Sequence, residues 1–326
     1  MIISVSHLKK QYQVFKKESG FLGSIKSLVS RRYESVPAVN DISFNIDEGE
    51  LVGFIGPNGA GKTTTLKCLS GLLYPTSGRL SVLGHVPYTR EKALLKEIAL
   101  VMGQKNQLWW DLPAIETFLL NKEIYEIPGV MFKKTLSELV DLLDVSSLLE
   151  VQVRKLSLGE RMKMELIAAL IHTPKVLFLD EPTIGLDVVM QKNMRDFIRE
   201  YNVRHKSTIL LTSHYMEDVR KLAGRVIVID HGSILYDGKL DNLIRTFAKH
   251  KLLSVVLEDY VSPDKLKEVG ELVDYTFPKA VIRVPRSASN VAAAQLLQTF
   301  PIDDLNIEEP DIEDIIRDVF AFARKA

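Results

Sequence analysis

Three short apolar runs predict strands that are buried on both faces. They lie within residues 51–55, 175–182 and 208–214. The first run enters a glycine-rich loop and then a helix, the second ends in two carboxylates, and the third ends in a histidine. Parallel strands of this kind deliver their last residues to one edge of a sheet, so the pattern predicts an α/β core with chemistry at that edge.

A helix start is predicted at Ser157, where Glu160 follows three residues later and an apolar helical run comes next. In such a capping box the serine hydroxyl accepts a hydrogen bond from the amide of the fourth residue, and the glutamate reaches back to the serine amide. This pattern is an ordinary helix beginning, but a helix N-terminus can also bind an anion.

The character of the chain changes after about residue 245. Residues 252–260 and 279–285 read as strands, and residues 289–300 and 311–321 read as helices. We therefore predict a main domain over residues 1–245 and a small α+β appendage over 246–326, with no metal-ligand spacing and no catalytic cluster in the appendage.

Composition restricts the class of protein. The 326 residues include 42 basic and 42 acidic side chains, so no global field favours nucleic acid. The single cysteine, Cys68, suits a reducing cytoplasm. No apolar run approaches the roughly 20 residues that span a bilayer, and the first residues do not resemble a signal peptide. We expect a soluble chain of about two domains that reaches a membrane only through a partner.

Residues 51–66, LVGFIGPNGAGKTTTL, carry the pattern of a phosphate-binding loop between a strand and a helix. Its glycines let backbone amides turn towards phosphate oxygens. Lys62 is expected to reach the β- and γ-phosphates, and Thr63 to hold Mg²⁺. The competing interpretation is a glycine-rich turn with a chance lysine. The expected nucleotide-binding residues are Gly56, Pro57, Asn58, Gly59, Ala60, Gly61, Lys62, Thr63 and Thr64.

Two acids end the predicted strand KVLFLDEP at residues 175–182. Asp180 is suited to bind Mg²⁺ through a water, and Glu181 is suited to polarise the attacking water. Adjacent acids at a strand end are also common in solvated turns. Their place downstream of a phosphate loop favours the catalytic interpretation.

Together these residues resemble the nucleotide-binding subunit of an ABC transporter over roughly residues 1–240. The motifs occur in the order of that family, which makes the resemblance much more specific than any single motif. They are the Walker A sequence GPNGAGKTT, the Q-loop glutamine Gln104, the signature LSLGE (156–160), the Walker B sequence VLFLDE (176–181), the D-loop GLD (185–187) and the switch histidine His214.

The resemblance implies a P-loop cassette with a mixed sheet and a helical subdomain at about residues 97–172. It also implies that two chains dimerise head to tail, so that Ser157, Gly159 and Glu160 of one chain complete the γ-phosphate site of the other. The signature departs from the usual LSGGQ, because Leu158 replaces a glycine and Glu160 a glutamine.

The remaining site residues also follow from the resemblance. Gln104 is expected to contact Mg²⁺ or the attacking water, and His214 to sense the γ-phosphate. Asp187 is expected at the dimer interface, although it could simply cap the following helix. Tyr12 is the first candidate for stacking on adenine, with Tyr33 as the competitor.

Two segments are unusual for a compact member of the family. Residues 16–36 look inserted, with apolar residues at helical spacing and several basic residues. They could form a helix that covers the sheet edge, or a basic amphipathic helix that touches the membrane or the permease. The adjacent Trp109 and Trp110 cannot both face one core from a regular helix, so we expect at least one to be exposed. In the family that the chain resembles, this region receives the coupling helix of the permease, which implies that Trp109 and Trp110 contact the permease. The competing interpretation is simple packing in the helical subdomain.

The sequence thus predicts an ATP-binding and ATP-hydrolysing subunit that energises export through a separate multi-span permease, at the cytoplasmic face of the membrane. Its predicted cofactors are ATP and Mg²⁺, and its predicted partner is a second copy or a paralogue. Two alternatives remain: a soluble ABC ATPase that acts on nucleic acid or ribosomes, and another P-loop enzyme such as a nucleotide kinase. No basic patch supports nucleic acid.

Overall fold

The structure is a computed structural model that describes residues 1–15, 33–103 and 105–323, and it divides into two compact units, Met1–Asp237 and Gly238–Ala326. Each unit has a hydrophobic core of its own. The predicted domain boundary at residue 245 falls inside a helix, Leu240–Phe247, that belongs to the second unit.

The first unit begins with three consecutive strands, continues with single strands separated by one or more helices, and ends with a pair of strands. Its strands are β1 (Ile3–Phe15), β2 (Tyr33–Ile46), β3 (Leu51–Ile55), β4 (Ser77–Val82), β5 (Ile98–Met102), β6 (Val176–Asp180), β7 (Thr208–Thr212), β8 (Arg225–Asp230) and β9 (Ser233–Lys239). Its helices are α1 (Lys62–Leu69), α2 (Lys92–Leu95), α3 (Ala114–Ile124), α4 (Gly129–Leu143), α5 (Leu158–Leu170), α6 (Val188–His205) and α7 (Met216–Leu222).

A six-stranded sheet with the order β5-β6-β7-β3-β8-β9 forms the centre of the first unit. The pairs from β5 to β8 are parallel, and every residue of β6 and β7 is buried. The three strands predicted from apolar runs are therefore confirmed. Because β3, β6 and β7 are parallel neighbours, the residues that follow them meet at the same edge of the sheet.

A second sheet, with the order β2-β1-β4, is antiparallel. Its long β1–β2 pair continues to Phe15 opposite Tyr33. Residues 33–36, which we predicted as the end of an inserted helical segment, are therefore strand residues. The rest of that prediction, residues 16–32, lies outside the described residues.

The helical segment between β5 and β6 comprises α3, α4 and α5. The three helices share a core in which Phe118, Leu139 and Leu166 are fully buried. The range 97–172 predicted for the helical subdomain also includes β5. That strand pairs with β6 and therefore belongs to the sheet and not to the helices.

The second unit is an α+β sandwich. It contains α8 (Leu240–Phe247), β10 (His250–Leu257), α9 (Pro263–Lys267), β11 (Glu271–Thr276), β12 (Lys279–Pro285), α10 (Ser289–Thr299), β13 (Ile302–Glu308) and α11 (Ile312–Ala323). The antiparallel strand order β11-β12-β10-β13 and the helices between strands give the split βαβ topology. Leu253, Ile282 and Leu296 lie in its core.

A membrane-spanning helix is not found within the described parts of the chain, where every helix is too short or too polar to cross a bilayer.

Candidate functional site

The phosphate-binding loop has the strand–loop–helix context that the sequence predicted. It leaves β3 at Ile55 and enters α1 at Lys62. A Cβ atom on Gly56 would come within 2.1 Å of the Ile229 carbonyl oxygen, and one on Gly61, whose φ is 107°, within 2.4 Å of the Ala38 oxygen. Larger side chains at these two positions would therefore displace backbone, so the glycines are needed for the close packing of the loop.

Lys62 lies over this loop and is 5 % exposed. Its Nζ atom donates to the carbonyl oxygens of Gly56 at 2.6 Å and Pro57 at 3.0 Å. Burial lowers the pKa of the ammonium group, while the carboxylates of Glu181 and Asp180 act in the opposite direction. A buried cation of this kind is favourably placed to receive an anionic group from solution.

Asp180 is the last residue of β6, and its side chain links the residue after Lys62 in the phosphate-binding segment to β7. Its Oδ1 atom accepts a hydrogen bond from the Thr212 hydroxyl at 2.7 Å, and its Oδ2 atom accepts from the Thr63 hydroxyl at 2.8 Å. A hydroxyl beside a carboxylate offers the hard oxygen ligands that Mg²⁺ prefers, with water and phosphate completing the shell. Among the described residues no group of three His, Cys, Asp or Glu could hold a metal alone. The residues present therefore fit a Mg²⁺ ion that is bound together with phosphate.

Glu181 and His214, predicted from separate strands, are in direct contact. The Glu181 Oε1 atom lies 2.6 Å from His214 Nε2. Glu181 has a φ of 55°, and its amide donates to the Thr212 carbonyl oxygen at 3.1 Å. The backbone thus turns sharply after β6, which leaves Asp180 and Glu181 with different partners. A cavity of about 160 Å³ is lined by Thr63, Lys67, Met102, Lys105, Asp180 and Glu181.

Asp218, in α7, ties together the two segments that carry Glu181 and His214. Its side chain is fully buried and accepts hydrogen bonds from the hydroxyls of Thr183 and Ser213, the latter at 2.7 Å. Arg195 pairs with its other oxygen at 2.9 Å. We did not predict this residue, because an acid in the first turn of a helix usually lies on the surface. The buried serine and threonine beside the two motifs were the available signal.

The predicted capping box at Ser157 is present. The Ser157 hydroxyl accepts from the Glu160 amide at 3.3 Å, and the Ser157 amide donates to Glu160 Oε2 at 2.8 Å. The pKa of the Glu160 carboxyl is lowered, mainly by the hydrogen bond from the Ser157 amide and next by the hydrogen bond with the Ser157 side chain. Ser157 and Leu158 at this N-terminus are exposed, whereas Gly159 is buried.

The signature segment packs against the GLD segment of the same chain. A Cβ atom on Gly159 would come within 2.9 Å of the Met190 side chain, and one on Gly185 within 3.0 Å of Leu158. Asp187 caps α6, since its Oδ1 atom accepts from the Met190 amide at 2.8 Å. The capping interpretation of Asp187 is thus confirmed, and its place at a dimer interface stays a prediction.

Both candidates for the adenine contact lie on the β1–β2 pair. Tyr12 lies opposite Val36 in the β1–β2 pair and is 37 % exposed, with Lys10 Nζ 5.4 Å from its ring centroid. The competitor Tyr33 also lies on this hairpin and is exposed. Gln104 lies outside the described residues.

Trp109 and Trp110 are 57 % and 48 % exposed, so neither belongs to the core. Beside this segment, β5, α3 and α5 enclose a cavity of about 420 Å³ whose lining includes Gln107, Ile124, Tyr125 and His172. The His172 ring stacks on Tyr125 with centroids 3.9 Å apart, and its burial lowers the pKa of His172 to about 4. The cavity is largely apolar, with Arg90 also in its lining, and it extends to Gln107, two residues before Trp109 in the chain.

Comparisons with known proteins are consistent with this geometry. A family model described as ABC transporter matches residues 39–184, and one described as EvrA-like ABC transporter, C-terminal domain, matches residues 249–308. The chain is 32 % identical over 222 residues to the bacitracin transport ATP-binding protein BcrA of Bacillus licheniformis, covering 68 % of this chain and 71 % of that protein. It is 34 % identical over 218 residues to the Nod factor export ATP-binding protein I of Burkholderia orbicola, covering 67 % and 71 %.

Among solved structures, the fold matches a dimeric post-hydrolysis state of an ATP-binding cassette bound to ADP and Pi. The TM-score is 0.60 at 23 % identity, with 73 % of this chain and 98 % of that chain covered.

Replacement of Asp218 by asparagine is expected to lower the free energy of unfolding by about 3–5 kcal/mol, because it removes the buried carboxylate that pairs with the largely buried Arg195 cation. Urea unfolding measures the change. Glu217→Gln is the matched control, since Glu217 is exposed and pairs only loosely with Lys221 at 3.7 Å. A loss below about 1 kcal/mol for Asp218→Asn would show that the network is not a structural support.

Proposed function

This chain belongs to the family of ABC transporter ATP-binding proteins, and we propose that it drives export of a substrate through a separate membrane permease. It is the ATP-binding and ATP-hydrolysing subunit of such a transporter. The names of the relatives support export, since one is a bacitracin transport protein and another a Nod factor export protein.

The observation that carries the proposal is the meeting of four groups at one sheet edge. Lys62 lies over the loop that would hold the triphosphate, and Asp180 is hydrogen-bonded to Thr63. Glu181 is in contact with His214 beside them. These are the cation, the hydroxyl–carboxylate pair, the acceptor and the histidine that phosphoryl transfer to water requires.

In the proposed reaction Glu181 accepts a proton from the water that attacks the γ-phosphorus, and the bond from that phosphorus to the bridging oxygen of ADP breaks. Lys62 stabilises negative charge on the β- and γ-phosphate oxygens. His214 holds the Glu181 carboxylate in place and contacts the γ-phosphate. Mg²⁺, when bound to Thr63, to Asp180 through a water and to Gln104, would neutralise charge on the phosphates.

Two copies would complete each site. Ser157 and Gly159 lie at the start of α5, whose free amides and dipole suit the γ-phosphate held by the other copy. Glu160 is tied to the Ser157 amide, so its negative charge is directed to the cap. The partner is a second copy or a paralogue, with Asp187 at the interface. The dimeric cassette of the same fold supports this arrangement.

The surface formed by Trp109 and Trp110 is the proposed contact with the permease. Two adjacent exposed tryptophans suit a protein partner. The subunit would then lie at the cytoplasmic face of the membrane as a peripheral protein. Tyr12 would stack on adenine, since its ring is exposed on the β1–β2 hairpin.

The rival function, a soluble ABC ATPase that acts on nucleic acid or ribosomes, has less support. The similar proteins named above are transporter subunits, and the charges of the whole chain cancel.

Glu181→Gln tests the catalytic assignment. The amide cannot take a proton from water, so turnover should fall by about 100-fold or more while ATP affinity stays near normal. Phosphate release and nucleotide binding measure the two effects, and sedimentation with ATP should detect a trapped dimer. Glu217→Gln should hydrolyse ATP normally. Normal hydrolysis by Glu181→Gln would show that Glu181 is not the general base.

Trp109→Ala and Trp110→Ala test the permease contact. If the permease covers these side chains, loss of one of them should weaken binding of the subunit to the permease by about 2 kcal/mol or more for at least one of the two variants. The measurement is recovery of the subunit with membranes that contain its permease, with Tyr260→Ala as a control at another exposed aromatic residue. Unchanged recovery of both variants, with ATPase activity intact, would place the contact elsewhere.

A further inference from the structure

Helix α5 holds the tryptophan segment, residues 107–110, through two side chains that are one helical turn apart. Arg161 and Glu165 lie four residues apart and therefore on the same face of the helix. The Arg161 guanidinium lies 5.5 Å from the ring centroid of Trp110. Glu165 contacts the backbone just before the tryptophans.

Glu165 makes this contact with one carboxylate oxygen. Its Oε1 atom accepts hydrogen bonds from the amides of Gln107 at 2.8 Å and Leu108 at 3.2 Å. Leu108 itself is 5 % exposed and belongs to the core that α5 shares. The segment is thus fixed to α5 at consecutive backbone positions immediately before Trp109.

A carboxylate is a costly group at this position. Glu165 is 3 % exposed, and its Oε2 atom is buried and has no hydrogen-bond partner among the described residues. Burial raises the pKa of this carboxyl, against the effect of the two amides and of Arg161. A half-satisfied buried acid is poor for stability alone, so a role in function is the better explanation.

The same helix begins at the signature residues. Ser157 caps α5, and Glu165 lies about 12 Å further along the helix axis. A helix of 13 residues with a buried face moves as a rigid body. Any displacement of its N-terminus by a triphosphate would therefore move Arg161 and Glu165 together.

We propose that Glu165, assisted by Arg161, is a positioning residue that transmits ATP-dependent movement of the signature helix to the Trp109–Trp110 surface. The proposal rests on the proposed function, in which ATP engages the start of α5 and the permease contacts the tryptophans. It assigns the mechanical link between these two surfaces to the buried Glu165 carboxylate, together with the Arg161 guanidinium.

The chain offers a direct readout, because its sequence contains only these two tryptophans. Intrinsic fluorescence and its quenching by acrylamide therefore report on the segment alone. The parent for the test is the full chain with Glu181→Gln, which keeps ATP bound. ATP is expected to change the quenching constant of the parent, and sedimentation of the same samples reports dimer formation.

Glu165→Met removes the acceptor with little change in volume. It is expected to leave the ATP-dependent dimer in place and to reduce the ATP-induced change in quenching by about fivefold or more. Asn121→Ala is the matched control. It removes a different contact to α5, from Asn121 Nδ2 to the Ala168 carbonyl oxygen at 2.9 Å, and should keep the full response.

If Glu165→Met does not unfold cooperatively, two milder variants are tested in its place. Glu165→Gln keeps an acceptor but loses the charge, and Arg161→Met removes the cation over Trp110. Each should reduce the response by about twofold. A full response in both would overturn the proposal.

The possible outcomes distinguish failure of this inference from failure of the proposed function on which it rests. A parent that fails to dimerise with ATP contradicts the proposed function. A parent that dimerises without any tryptophan response, or a response that persists in Glu165→Met, contradicts the inference alone.

Discussion

The hydrogen bonds that Asp180 accepts from Thr63 and Thr212 join the elements on which the rest of the site depends. They connect the phosphate loop after β3 to the ends of β6 and β7. Because β6 and β7 are fully buried parallel neighbours and β7 pairs in parallel with β3, the carboxyl ends of the three strands are held close together. Glu181 and His214 meet as a consequence, and the buried Asp218 fixes the segments that carry them.

Much of this core could be predicted because each signal was local and strong. The apolar runs of β3, β6 and β7 and the spacing of Gly56, Gly61 and Lys62 specify strand, loop and helix without tertiary information. The capping box at Ser157 is equally local. The contact between Glu181 and His214 was not predicted, because the order of motifs indicated only their separate roles and the two residues are far apart in sequence.

Other features depend on tertiary contacts that no short pattern encodes. Strands β11 and β13 are edge strands with polar, largely exposed sequences, so they lack the apolar signal that identified β10 and β12. Residues 33–36 are strand because they pair with β1, although they read as part of an insertion. Asp218 and Glu165 look like surface acids in helical sequence, and only packing shows that both are buried between segments carrying other functional residues.

The central claim is that each triphosphate site is shared between two chains, and complementation tests it most directly. Lys62→Ala removes the phosphate-binding lysine of a chain, and Ser157→Arg prevents its signature residues from contacting the γ-phosphate. Each variant alone should be inactive, but a mixture should regain ATP hydrolysis, because a mixed dimer pairs the intact loop of the Ser157→Arg chain with the intact signature of the Lys62→Ala chain. A mixture that forms dimers with ATP yet stays inactive, or full activity of Ser157→Arg alone, would contradict the account.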